Sequence, residues 1–210
     1  DAARSADGVL AVWTCADLAA DGVGHIPFPP LFKRADGSPM EAPLRTLLAD
    51  GVGLYAGHAV AAIFAKSREQ AQDAADLLEI DYEELPCVID PRIAIRPGAP
   101  QVSAQVAGNV SAEQRYGDAK AAAAAFARAA HVTEIELHNQ RLIANAIEPR
   151  CSLAQFEGGR WTLYTQTQQP TGTRDALAAV FKTQPQQFRV VVGDIGRGFG
   201  MKTGLGPQDA

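Results

Sequence analysis

The chain has 210 residues, 47% of them hydrophobic, and a formal net charge of −5 with acidic and basic residues interspersed. A globular fold with a sizeable core is expected, as one large domain or two small ones, and nucleic acid or an anionic membrane surface finds no basic footprint to bind. No apolar run approaches the roughly 18 residues that cross a bilayer, so a cytoplasmic protein is expected.

The opening residues, DAARSADG, lack the pattern of a signal peptide. They lead into an apolar run without a starting methionine, and the chain stops just after a glycine-rich loop, so a fragment of a longer protein is expected. Val9–Trp13 is short and rich in strand formers, and Thr14–Ala20 suits a short helical turn. From Asp21 to Gly57 the chain is dense in Gly, Pro, Asp and Ser, a long irregular connection of the kind that serves a site or an interface. His58–Ala65 is an apolar run of strand length; Ser67 and Gln70 form a capping box opening the helix SREQAQDAADLLE, with Ala71, Ala74, Ala75 and Leu78 on one face. Ile80–Leu85 alternates like a strand and ends at Pro86, so residues 58–90 read as strand, crossover helix and strand.

The proline and glycine punctuation of Pro91–Gly108 marks a boundary, giving domains 1–105 and 106–210 and an α+β class. Asp118 caps an alanine-rich helix whose one large apolar anchor is Phe126, and His131–His138 alternates as a strand. Cys151–Phe156 and Arg160–Gln166 flank the hairpin signal Gly158-Gly159. Pro170 opens a helix running to about Phe181, and Phe188–Val192 delivers the chain into GDIGRGFGMK. Cys15, Cys87 and Cys151 lie far apart without metal-ligand spacing and read as small buried apolar residues. The isolated His25, His58, His131 and His138 read as surface or hydrogen-bonded side chains rather than ligands.

Three segments could carry chemistry. The loop Gly196–Gly200 follows a strand, and its glycines allow close backbone approach to a bound group; it equally suits a plain tight turn, and its spacing fits neither a dinucleotide fingerprint nor a phosphate loop. TQTQQP at 165–170 offers amide side chains that donate and accept, or is simply a solvated strand end. Glu148-Pro149-Arg150 sets a carboxylate near a guanidinium, and the plainer expectation is that the two pair or face water.

Taken in order, GHAVAAIFA, SREQAQDAADLLEI, DYEELPCVIDP, a Gly-Asp before an alanine-rich helix, EPR, TLYTQTQQP and GRGFGMK resemble the large subunits of the xanthine dehydrogenase, aldehyde oxidase and carbon monoxide dehydrogenase family of molybdenum hydroxylases. The resemblance runs along essentially the whole chain. It implies an α/β hammerhead domain, with its first strand missing, followed by the first part of a molybdopterin-binding domain. By position, it implies that Gln168 hydrogen-bonds an oxo ligand of the molybdenum and that Gly198, Phe199 and Gly200 lie against the metal and its pterin.

The same resemblance implies a small-molecule substrate, an aldehyde, an N-heterocycle or carbon monoxide, oxidised with water-derived oxygen. It implies a molybdenum–molybdopterin cofactor in its cytosine dinucleotide form, an iron–sulfur small subunit and an FAD-binding medium subunit. The family's glutamate base and later pterin-binding segments are expected outside these 210 residues, so the fragment alone is expected to be inactive and to hold no cofactor. Arg197 stands where many relatives have glycine, and Thr203 stands where xanthine-type members have a substrate-binding glutamate, which argues against purine recognition. Two other readings make their own expectations. A non-catalytic interaction module of the same fold would show no pocket near Gln168 and Phe199, and a nucleotide-binding loop would have a helix N-terminus just after Gly200.

Overall fold

The computed structural model describes residues 1–210. Its first part pairs β1 (Val9–Trp13) antiparallel with β2 (Ala62–Ala65), with a register break between Val9 and Ala11 that turns Leu10 outward. Between them, α1 (Cys15–Ala20) begins where the Asp17 carboxylate accepts from both the backbone N–H and the hydroxyl of Thr14, each at 2.7 Å. α2 (Arg68–Asp76) begins at Ser67, whose hydroxyl accepts from the Gln70 N–H at 3.2 Å. Only half of the expected capping box forms, because the Gln70 side chain donates instead to Asp7 at 3.1 Å. Ala74, fully buried on α2, meets Val12 of β1 and Ala3 in a small core that Ile63 and Leu78 also border.

The second part holds a three-stranded sheet. β3 (Ser152–Glu157) and β4 (Arg160–Thr165) form a hairpin closing at the Glu157–Arg160 pair, and both turn residues, Gly158 and Gly159, have positive φ, as a two-residue primed turn requires. α5 (Pro170–Val180) then crosses over, and β5 (Phe188–Val191) pairs parallel with β4. Proline at the first turn of α5 lacks only an N–H that would be unpaired there anyway.

The main core is Leu163 of β4, Leu177, Ala178 and Val180 of α5, Phe188 of β5 and Leu205, joined by Ile26 and Leu47 from the long 21–57 connection. That connection is fastened to the second part. The Gly24 N–H donates to the Val180 carbonyl at 2.6 Å, Glu41 N–H to the Ser111 carbonyl at 3.1 Å, and Glu113 N–H to the Lys33 carbonyl at 3.0 Å.

Several sequence expectations need correcting. Ile80–Leu85 and His131–His138 form no strand, since no neighbour lies alongside to complete a ladder, and the expected strand–helix–strand unit ends at its helix. The apolar residues of these segments stay exposed, with Tyr82 at 72% and Leu137 at 79%. α4 (Ala119–Arg128) forms and is capped by Asp118, which accepts from the Ala121 N–H at 2.9 Å, but Phe126 is 65% exposed and anchors nothing. Cys87 and Cys151 are exposed rather than buried. Within Pro91–Gly108, the short α3 (Pro91–Ala94) is tied down by Asn109, whose amide donates to the Ala94 and Pro100 carbonyls at 2.9 Å each.

Candidate functional site

β4 and β5 run parallel and therefore end on the same side of the sheet, where the residues that follow each strand meet. After β4 the chain enters Gln166–Gln169; after β5 it enters the glycine loop. The register of this meeting is set by backbone. The Gln168 N–H donates to the Lys202 carbonyl at 2.8 Å, and the Lys202 N–H donates back to the Gln168 side-chain Oε1 at 3.3 Å. Beneath them the buried Thr167 hydroxyl lies 2.9 Å from that of Thr173 on α5 and 3.2 Å from the Lys202 carbonyl.

Gln168 thus lies directly on the loop. A Cβ built on Gly198 would fall 2.3 Å from Oε1 of Gln168, so any side chain there would push the exposed Gln168 carboxamide aside. The Gln168 carboxamide has its oxygen engaged, while its Nε2 has no partner in the chain. Arg197, Phe199 and Gly200 all have positive φ, at 74°, 50° and 79°. For the two non-glycine residues that conformation costs on the order of 1–3 kcal/mol each. Phe199 is 62% exposed, and the Arg197 side chain forms no ion pair.

Two anchors hold the loop from below, both from the Glu148-Pro149-Arg150 segment. Glu148 Oε2 accepts from the Gly196 N–H and from the Lys202 ammonium, each at 2.8 Å. Lys202 is among the most deeply buried side chains of the molecule, 2% exposed, while Glu148 is partly accessible. The Lys202 ammonium first, and then the Gly196 N–H, hold the Glu148 carboxyl below its usual range. Arg150 donates to the carbonyls of Met201, at 2.9 Å, and Gly204, at 3.1 Å, and pairs with the buried carboxylate of Asp209. Asp209 also accepts from Ser152 at 2.6 Å, Thr165 at 2.9 Å and the Gly206 N–H at 2.8 Å.

Read from sequence, Glu148 and Arg150 were expected to pair together or face water; instead each finds its partner more than 45 positions away. Thr167 and Lys202 stand in the sequence only as members of TQTQQP and GRGFGMK, with no role of their own, and Asp209 and Thr173 fall in no motif. A lysine among glycines beyond a buried strand was the available signal.

The nucleotide-loop expectation is not met. Residues 201–210 form turns and the single 3-10 turn Pro207–Asp209, so no α-helix presents its N-terminus to Gly196–Gly200. A cavity of about 320 Å³ opens beside the site, lined by Glu148, Cys151, Tyr164, Gln166 and Asp194 among others, but not by Gln168 or Phe199.

Residues 102–210 match the molybdopterin cofactor-binding domain, and residues 1–86 match the a/b hammerhead domain of aldehyde oxidase and xanthine dehydrogenase. The chain belongs to the molybdenum hydroxylase large-subunit family. It is 32% identical to the nicotine 6-hydroxylase large subunit of Paenarthrobacter nicotinovorans over 99% of its length and 25% of the relative's. It is 29% identical to the carbon monoxide dehydrogenase large chain of Afipia carboxidovorans over 96% of its length and 25% of that protein. Among solved structures it is similar to quinoline 2-oxidoreductase from Pseudomonas putida 86, with a TM-score of 0.85 and 31% identity over 99% of this chain and 26% of that one. Hammerhead and molybdopterin-binding folds are therefore both represented, in a chain spanning about a quarter of the length of the curated relatives it matches.

The donor set fits an oxygen-rich metal cofactor. Gln168 offers a free amide N–H₂ beside a loop stripped of side chains at Gly198 and Gly200, and no cluster of His, Cys, Asp or Glu competes to bind the metal directly. No helix is long and apolar enough to cross a membrane.

Proposed function

We propose that this chain is part of the molybdenum-binding catalytic subunit of an oxidoreductase that hydroxylates an aldehyde or N-heterocycle, or oxidises carbon monoxide, with oxygen drawn from water. The observation that carries the proposal is the Gln168 carboxamide. Its oxygen lies against Gly198 and is held by the Lys202 N–H, which leaves its nitrogen without a partner in the chain, an arrangement suited to donating a hydrogen bond to an oxo ligand. When bound, the molybdenum–molybdopterin cofactor supplies oxygen transfer and accepts the two electrons. The chain contributes placement. Gln168 orients and polarises through Nε2, and Gly198, Phe199 and Gly200 present backbone and an exposed ring to the cofactor and substrate.

The identities of the partners, an iron–sulfur small subunit and an FAD-binding medium subunit, belong to the proposal, as do the cytosine dinucleotide form of the cofactor and a cytoplasmic location. So does the division into domains 1–105 and 106–210. The relatives named as large chains support an assembly of subunits. The base that completes turnover is assigned to a glutamate outside these residues, so the 210-residue chain alone is expected to be inactive.

Metal and pterin analysis of the full-length protein purified with its partner subunits tests this reading, repeated with Gln168→Ala and Phe199→Ala. Stoichiometric molybdenum, cytidine monophosphate released on acid hydrolysis, and activity impaired by both changes are expected. A folded full-length protein that takes up no molybdenum under permissive expression would overturn the reading in favour of a non-catalytic interaction module. Fractionation of cells checks the location.

A further inference from the structure

We propose that the Glu148–Lys202 ion pair is a positioning device for Gln168, fixing the carboxamide with Oε1 on the Lys202 N–H so that Nε2 is the atom left free to donate. The inference rests on the reading of Gln168 as the donor to the cofactor. Lys202 reaches Gln168 twice through its backbone, accepting from the Gln168 N–H at 2.8 Å and donating to Oε1 at 3.3 Å. Because an amide can be turned over to exchange its oxygen and nitrogen, something must choose between the two orientations; a backbone N–H facing Oε1 does so.

That backbone is in turn located by its own side chain. The Lys202 ammonium is buried at 2% exposure and pairs with a single carboxylate oxygen, Glu148 Oε2, which also holds the Gly196 N–H. One carboxylate oxygen thereby ties the first residue of the loop to Lys202, closing the loop at both ends. Between those ends lies Gly198, against which Gln168 is packed. A buried ammonium cannot drift without leaving its charge unpaired, so the pair resists the shift that would let the amide turn. Glu148 and Lys202 act through Gln168 and are positioning residues.

The experiment uses the full-length holoenzyme with its partner subunits and compares Glu148→Gln, Gln168→Ala, and the two combined. Because Glu148→Gln strands a buried ammonium, Glu148→Gln with Lys202→Met is made as well, removing both charges together. Molybdenum and pterin content, the electron paramagnetic resonance spectrum of the molybdenum, and kcat and KM are read for each. Glu148→Gln, or its partnered form if the single change fails to fold, is expected to keep molybdenum, to shift the spectrum in the direction Gln168→Ala shifts it, and to lower kcat by on the order of 10- to 100-fold. Adding it to Gln168→Ala is expected to change neither spectrum nor kcat further. A wild-type spectrum and kcat in the doubly neutral variant, or additive effects with Gln168→Ala, would overturn the proposal. If Gln168→Ala itself leaves the spectrum untouched, it is the assignment of Gln168 that fails, and the positioning inference falls with it.

Discussion

A single missing methyl group shapes the contact between Gly198 and Gln168. Gly198→Ala would place a carbon 2.3 Å from Gln168 Oε1, so the carboxamide or the loop must move. Gln168 is exposed and its side chain can swing aside, so little change in thermal midpoint is expected; the effect is read instead as loss of the Lys202 N–H bond to Oε1, seen as faster exchange of the Lys202 amide in the full-length protein. Glu148 gives a pH prediction of definite sign. Its carboxyl is held below the ordinary 4.5 by Lys202 and the Gly196 N–H, so the stability it contributes is present above that value and is lost as pH falls through the lower, folded value. Denaturant titrations should show wild type more stable than Glu148→Gln at neutral pH and the difference shrinking as pH falls below the ordinary 4.5; a difference that stays constant on acidification would contradict it. Gln168 and Gly198 were legible in the sequence as members of ordered motifs, but their mutual contact was not, because 30 positions separate them and only the parallel pairing of β4 and β5 brings them together. Glu148 and Lys202 escaped for a related reason. Glu148 has an oppositely charged neighbour two residues on, and sequence offers no reason to prefer a lysine 54 positions away.

Among the elements, legibility follows locality. Helix caps at Ser67 and Asp118, the Gly158-Gly159 turn and the proline start of α5 all depend on residues within a few positions of one another, and all form where the sequence places them. Strands need a partner, and alternation alone names a face without naming the neighbour; residues 80–85 and 131–138 alternate but pair with nothing in this chain. Two substitutions separate elements that the core holds from one it does not. Leu177→Ala in α5, where the side chain is 2% exposed, is expected to cost about 2–5 kcal/mol and lower the thermal midpoint. Asp118→Ala is expected to fray α4, seen as faster amide exchange over 119–128, with little change in that midpoint, since α4 buries no residue.

At the scale of the whole molecule, 20 of 210 residues are buried, and exposed apolar side chains run along 131–147 and β3, Leu153 and Phe156 among them. Surface of that extent is characteristic of a face that another segment or chain covers. The 210-residue chain expressed alone is therefore expected to bind a hydrophobic dye such as ANS and to self-associate in light scattering, and the full-length protein in its complex to do so far less; equal dye binding by both would count against covering of these segments.

The fastening of the 21–57 connection onto the second sheet has a consequence in time. Ile26 and Leu47 share a core with Leu205, so they leave the ribosome long before the residues that shelter them. At about 5–20 residues per second of synthesis, the wait from Leu47 to Leu205 is on the order of ten to thirty seconds. The early connection must stay open and sticky throughout that interval, with its prolines and glycines discouraging premature strand pairing, until α5 and β5 arrive to close over it.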